Sequence, residues 1–379
     1  MSGLARNTTL AMIGGLAALS LGGCEVGKKQ STQTGYRGTG MEQIVDLSHV
    51  AKQAAIPAPA YELPADGGPT AAASYQNVKV LGGVSKDRFD HVMAQISQWV
   101  APPAEGCNYC HNPENMASDE KYTKVVARRM LQMTLNINGK WASHVQQTGV
   151  TCYTCHRGNA VPQYKWALDQ GTPDPHSIVG NHRGQNSPNE TVAYASLPYD
   201  PFDSYLRGTA QIRIAGKTAL HQPGVAGASI KDAEATYGLM MHLSKALGVN
   251  CTFCHNTQSL GAWAESRPQR VTAYYGIRMV RDINDEYITS LAGVFPAYRK
   301  GPQGDPYKVN CLTCHQGLNK PLGGVSMLKD NPALKPIAVV APTAAQAAAT
   351  ATVQSQLAAP AAAADKPPAP AASPTPKTP

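Results

Sequence analysis

The chain has 379 residues and a formal net charge of +8, with 42% hydrophobic and only 15% charged residues. That length allows two or three domains with ample core, and that apolar share excludes a polytopic membrane fold. Eight of the nine cysteines fall in four copies of Cys-x-x-Cys-His and the ninth stands alone near the N-terminus, whereas a disulfide scaffold would give no reason for a histidine after every pair.

Arg6 opens an export signal, residues 1–23, whose apolar stretch from Leu10 to Leu21 is too short to span a bilayer comfortably. It runs into Leu21-Gly22-Gly23-Cys24, which resembles the lipobox of bacterial lipoproteins and implies a diacylglycerol on Cys24 that anchors the chain to a membrane. An ordinary signal peptide with a chance cysteine, or an uncleaved anchor, is the alternative. Residues 24–80, rich in Gln, Ala, Pro and Gly, read as an extended arm.

The first amphipathic helix is predicted from Ser85 to Val100, with Phe89, Val92, Met93, Ile96, Trp99 and Val100 on one face and Ala101-Pro102-Pro103 as its stop. Cys107-Asn108-Tyr109-Cys110-His111 follows. Ser118-Asp119-Glu120 is read as the opening of a second helix running to Asn138-Gly139, with Val126, Met130, Met133 and Ile137 together. His144 and Cys152-Tyr153-Thr154-Cys155-His156 come next. Ser229 opens a third helix, aligning Tyr237, Met240, Leu243 and Leu247 ahead of Cys251-Thr252-Phe253-Cys254-His255. A fourth helix, from about Pro268 to Ala292, precedes Cys311-Leu312-Thr313-Cys314-His315. Residues 335–379 collapse to Ala, Pro and Thr and cannot bury enough apolar surface to order themselves.

Two residues between cysteines bring both sulfurs within reach of the two vinyl groups of one haem, with the following histidine under the iron; this is the signature of c-type haem attachment. Zinc would need the pairs to combine two by two and leaves the histidines unexplained. The chain therefore reads as a mainly α multihaem cytochrome c with four covalently bound haem c groups, a helix–turn–Cys-x-x-Cys-His unit repeated four times with long loops. Residues 81–228 and 229–334 form two pseudo-symmetric two-haem modules. Asn136-Ile137-Asn138 and Asp282-Ile283-Asn284 align them, pairing Met133 with Met279 and Met130 with Gly276. If Met130 is a ligand, the fourth haem has no methionine at the matching place and wants a histidine. His49, His91, His144, His176, His182, His221 and His242 are all open to that role on spacing alone.

The motif contexts Thr151-Cys152-Tyr153-Thr154-Cys155-His156-Arg157-Gly158, Asn250-Cys251 to Asn256 and Asn310-Cys311 to Gly317 resemble the tetrahaem cytochrome subunit of purple bacterial photosynthetic reaction centres. So do Thr34-Gly35-Tyr36-Arg37-Gly38 and Asn77-Val78-Lys79-Val80-Leu81-Gly82, and the resemblance spans residues 24 to about 335. It implies a helical fold with two haem pairs in a row and thioethers at Cys107, Cys110, Cys152, Cys155, Cys251, Cys254, Cys311 and Cys314. The irons sit on His111, His156, His255 and His315, with Met93, Met130 and Met240 as sixth ligands of the first three and His144 of the fourth. Met241 is adjacent to Met240, and the Met93 to Cys107 interval contains a Pro102-Pro103-Ala104 loop. Closed irons imply an electron carrier rather than an enzyme. By the same resemblance the subunit sits on the periplasmic face of the inner, photosynthetic membrane, against the L and M subunits of the reaction centre. A soluble cytochrome c or a high-potential iron–sulfur protein supplies electrons near the first haem, and the third lies nearest the bacteriochlorophyll pair. A multihaem reductase with one open iron, or a respiratory conduit, is the competing reading.

Charge bears on the donor. Loss of residues 1–23 removes only Arg6, leaving +7, and the propionates of four haems bring the subunit near neutrality, so nothing here argues for nucleic acid. Residues 101–120 hold Glu105, Glu114, Asp119 and Glu120 and no Lys or Arg, a patch able to steer a basic donor. The plainer reading is a solvated helix start, with Asp119 and Glu120 favouring its dipole.

Overall fold

The computed structural model describes residues 27–33, 42–168, 190–192, 194, 195, 197, 200–208, 210, 212 and 230–336. The export signal, Cys24, the Thr34 to Gly38 stretch, His176, His182, His221, Ser229 and the tail beyond residue 336 lie outside the described residues.

The stretch before residue 80 is not simply extended. Strands β1 (Lys29–Gln33) and β2 (Glu42–Asp46) form an antiparallel hairpin, followed by helices α1 (Leu47–Gln53) and α2 (Ala71–Ser74). Capping explains what periodicity did not show. The Asp46 carboxylate accepts from the Ser48 and His49 amides (2.8 and 3.3 Å), and the Thr70 hydroxyl accepts from the Ala73 amide (3.3 Å). This segment straps both halves: Gln43 donates to the Gly248 carbonyl (2.7 Å), and Arg157 to that of Gln53 (2.8 Å).

The first long helix, α3 (Lys86–Val100), starts and stops where the sequence places it. The second, α4 (Tyr122–Lys140), starts later than Ser118, because Asp119 is engaged elsewhere: it receives Asn77 and Arg128 (2.8 Å each) and Lys79 and Lys124 (3.4 Å each). Helices α5 (Ala142–Val145) and α6 (Cys152–His156) complete the first half. Strand β3 (Lys165–Trp166) later pairs with β4 (Lys308–Val309). In the second half α7 spans Ile230–Leu247 and α8 spans Gln269–Asp282, running on through a wider turn at Ile283–Ile288 and a tighter one at Thr289–Leu291. Helix α9 is Cys311–His315.

The two halves repeat one another in their hydrogen bonds. Gly158, two residues after His156, donates to the Trp99 carbonyl at the end of α3, and Gly317, two after His315, donates to Ala246 near the end of α7, both at 2.9 Å. Asn138 on α4 brackets Val150, donating to its carbonyl (2.9 Å) and accepting its amide (2.7 Å), and donates to the Leu334 carbonyl (2.8 Å). Asn284 does the same to Val309 (3.0 and 2.9 Å) and to Leu206 (2.9 Å).

Packing crosses the expected module boundaries. Val92 and Trp99 of α3 and Leu131 of α4 close under Leu322, Met327, Leu328 and Leu334, which follow the fourth motif. Leu239 of α7 and Ile277 and Val280 of α8 close under Trp166, Phe202, Tyr205 and Leu206, which follow the second. Each core is completed by the segment leaving the other half, so 81–228 and 229–334 are not separate packing units. A third cluster joins the halves through Ile137, Met279, Ile283 and Ile288, with Met130 and Met133 against it.

Candidate haem-binding site

The four Cys-x-x-Cys-His segments take two backbone forms in alternation. The first and third are turns of 3-10 helix, Gly106–Tyr109 and Cys251–Phe253. The second and fourth are the short α-helices α6 and α9, each closed by a threonine: the Thr151 amide donates to Thr154 Oγ1 (3.0 Å) and the Asn310 amide to Thr313 Oγ1 (2.9 Å). The motif histidines alternate in step. His111 and His255 place Nδ1 on the carbonyl five residues on, Met116 and Leu260 (3.0 and 3.1 Å). His156 and His315 place it on the carbonyl three residues on, Asn159 and Leu318 (2.8 Å each). A carbonyl only accepts, so in every case Nδ1 carries the proton and Nε2 keeps its lone pair, which is the arrangement that orients a metal-ligating imidazole.

A continuous cavity of about 1080 Å³ runs between the halves. It is lined by the cysteines and histidines of the first, second and fourth motifs, by Met93 and Met130, and by the expected α4 face Val126, Met133 and Ile137. Leu243, Leu247 and Phe253 carry it towards the third motif, although Met240, Cys251, Cys254 and His255 are not in its wall. Tyr237, expected on the face of Met240, is 55% exposed; the buried face of α7 is Leu239, His242 and Ala246.

His144 is singled out by position. Of the non-motif histidines among the described residues it lines the cavity, whereas His91 bonds the Tyr61 carbonyl (3.2 Å) and His242 packs against Phe202 in the second core. Its Nδ1 donates to the Thr272 carbonyl (2.9 Å), and its ring centroid lies 6.0 Å from that of His315. Gly276 makes that possible: a Cβ there would come within 2.5 Å of the imidazole. The histidine thus fills the place that Met130 occupies in the other half. Burial lowers the proton affinity of His144 and of His156, and pushes His315 down to about 4, with His144 as a second cause. Neutral imidazoles are the form that ligates metal.

Repeat geometry also separates Met240 from Met241. The buried Val92 and Leu239 stand 147 positions apart, as do Trp99 and Ala246, and that register pairs Met93 with Met240. Met93 precedes its first cysteine by 14 residues and Met240 by 11, the difference being the Pro102-Pro103-Ala104 loop.

Of the eight cysteines expected to carry thioethers, Cys155 and Cys314 lie together as a disulfide with Cα atoms 4.4 Å apart, and the other six are free. The second and fourth motifs therefore face each other. The acidic patch is also reduced, since Asp119 meets cations from outside residues 101–120. Sequence reading missed the role of Asn138 and Asn284, although the internal alignment had flagged their positions.

The family model described as photosynthetic reaction centre cytochrome C subunit matches residues 25–335. The photosynthetic reaction center cytochrome c subunit of Rubrivivax gelatinosus is 52% identical over 337 residues, covering 88% of this chain and 90% of that one. That of Thermochromatium tepidum is 49% identical over 337 residues (88% and 82%), and that of Roseobacter denitrificans 38% over 343 (86% and 90%). With the motifs, the cavity and these relatives in agreement, the chain belongs to the family of photosynthetic reaction centre cytochrome c subunits.

Proposed function

We propose that this chain is an electron-transfer subunit of the photosynthetic reaction centre that holds four covalently bound haem c groups, one at each Cys-x-x-Cys-His. In that role it passes electrons from a soluble periplasmic donor to the photo-oxidised bacteriochlorophyll pair. The observation that carries the reading is the shared cavity, walled by three of the four motifs together with Met93, Met130 and His144.

A haem at each motif supplies a one-electron iron couple. The chain's own residues do the rest. His111, His156, His255 and His315 present Nε2 because Nδ1 is committed to a carbonyl. Met93, Met130 and Met240 would hold the irons at the first three motifs opposite those histidines, where a methionine would raise the potential relative to histidine. His144 and His315, with ring centroids 6.0 Å apart, would together hold the iron at the fourth motif. Cys155 and Cys314 must be reduced before either sulfur can form a thioether. The contact between the second and fourth motifs supports a row with those two in the middle and the first and third at the ends.

The repeated hydrogen bonds of Asn138 and Asn284 support two pseudo-symmetric modules. Glu105, Glu114 and Glu120, with less charge than the sequence alone promised, remain the acids beside the first motif for a basic cytochrome c or a high-potential iron–sulfur protein. Among the described residues no helix is long and apolar enough to cross a membrane. Attachment in this reading is to the L and M subunits and through a lipid on Cys24.

The test is the optical and EPR spectrum of the purified chain, oxidised and reduced, with and without carbon monoxide. Four low-spin haems inert to carbon monoxide are expected. One high-spin haem that binds it would remove His144 from the ligand set and favour a reductase with an open iron.

A further inference from the structure

The carbonyl that orients His111 has a second donor. Lys124, in the first turn of α4, is 7% exposed, and its ammonium donates to the Met116 carbonyl (2.8 Å) and the Ser118 carbonyl (2.7 Å) while pairing with Asp119 (3.4 Å). That same Met116 carbonyl accepts Nδ1 of His111 (3.0 Å). The other three motif histidines sit differently. Among the described residues no lysine or arginine donates to the Leu260, Asn159 or Leu318 carbonyls that hold His255, His156 and His315. The repeat sharpens the contrast, because the register that pairs Met130 with Gly276 pairs Lys124 with Arg270. Arg270 donates to the Ala262 carbonyl (3.1 Å) and the Ser266 hydroxyl (2.7 Å), and not to Leu260.

An imidazole that donates Nδ1–H to a carbonyl becomes a stronger metal ligand, the more so the more electron-rich the oxygen. An ammonium makes the stronger, charge-assisted bond to that oxygen and draws its electron density away from the imidazole proton. We propose that Lys124 is a positioning residue that acts on His111 through the Met116 carbonyl, holding that histidine less basic than the other three and so favouring the reduced iron at the first motif. This rests on the reading that the first motif carries haem. A less basic histidine gives less support to the extra positive charge of oxidised iron, and the buried ammonium opposes that charge directly. Lys79 separates the two effects. It brings the same charge to the same carboxylate, 3.4 Å from Asp119, but among the described residues it bonds no carbonyl.

The experiment is a potentiometric titration, followed by optical and EPR spectra, of the haem-loaded chain carrying Lys124→Met, Lys124→Arg or Lys79→Met. In Lys124→Met, one of the haems should show an oxidised-to-reduced ratio raised about fivefold at fixed ambient potential, and its low-spin g values should move with it. Lys124→Arg, which keeps a charged donor for both carbonyls, should recover most of that ratio, and Lys79→Met should move it less than about twofold. If Lys124→Met does not accumulate, Lys124→Gln reads the same ratio with a neutral donor left on the carbonyls, and a change of the same sign is expected. A ratio moved less than about twofold by the Lys124 variant, moved equally by Lys79→Met, or moved alike at several haems overturns the role of Lys124. The mass of the peptide spanning Cys107–Cys110 is taken alongside. A peptide that carries no haem overturns the underlying reading and this assignment with it, whereas a loaded peptide with unmoved potentials overturns the assignment alone.

Discussion

Gly276 sits in the middle of α8, where alanine ordinarily stabilises a helix by up to about 1 kcal/mol. Here the added methyl would collide with the His144 imidazole. Gly276→Ala should therefore reproduce His144→Ala, giving one high-spin, carbon-monoxide-binding haem while the other three stay low-spin, as read by EPR. Asp282 offers a second test. Burial alone would raise its pKa, but Lys140, Trp141 and Asn136 all donate to the carboxylate (2.8, 2.8 and 2.7 Å) and together bring it below the ordinary 3.8. A depressed carboxylate stabilises the fold above its unfolded pKa, and that contribution is lost as pH falls through the folded one. Asp282→Asn should thus lower the melting temperature at pH 7, with the gap to the unaltered chain narrowing as pH falls below the ordinary carboxylate range. At this scale the four Cys-x-x-Cys-His motifs were readable from spacing, because both ends of each lie within five residues. The place of His144 in the cavity wall was not readable from the residues, since its contacts, Thr272 and Gly276, lie more than a hundred residues away.

Among the elements, α3 was legible because a single apolar face and a Pro-Pro stop bound it. Helix α4 was misplaced at its start because Asp119, a good cap by type, is drawn to Arg128, Lys79 and Lys124, none of which a local reading weighs. The short helices α1 and α2 have too few residues for a periodic signal and are set by Asp46 and Thr70 instead. Asn284 braces the entry to α9. Asn284→Ala would leave the Val309 amide and the Leu206 carbonyl without the partner they have now, while the Val309 carbonyl keeps Trp166, at a cost of about 2 kcal/mol or more. Thermal unfolding should show that loss. Asn138→Ala should cost at least as much, because it removes three such bonds around Val150 and Leu334.

For the whole molecule, the helical class was visible in the sequence, but the route of the chain between halves was not. Nothing in the composition of 161–212 or 321–334 says which core each segment enters. Ending the chain at residue 320 would strip Leu322, Met327, Leu328 and Leu334 from the first core, although the deletion lies beyond the fourth motif. Four buried side chains at roughly 1.5–3 kcal/mol each approach the stability of an entire domain. Limited proteolysis should therefore cut first within 86–140 rather than near the new terminus.

Because each core is finished by the segment leaving the opposite half, neither half can close by itself. A single half produced alone would present an open slot and a loose end that belongs to the core of the other half, and only that other half supplies what each one lacks. Joined in one polypeptide, that encounter becomes internal, at an effective concentration on the order of millimolar. The molecule thus keeps the mutual completion of a dimer while its stability no longer depends on how much of the protein is made.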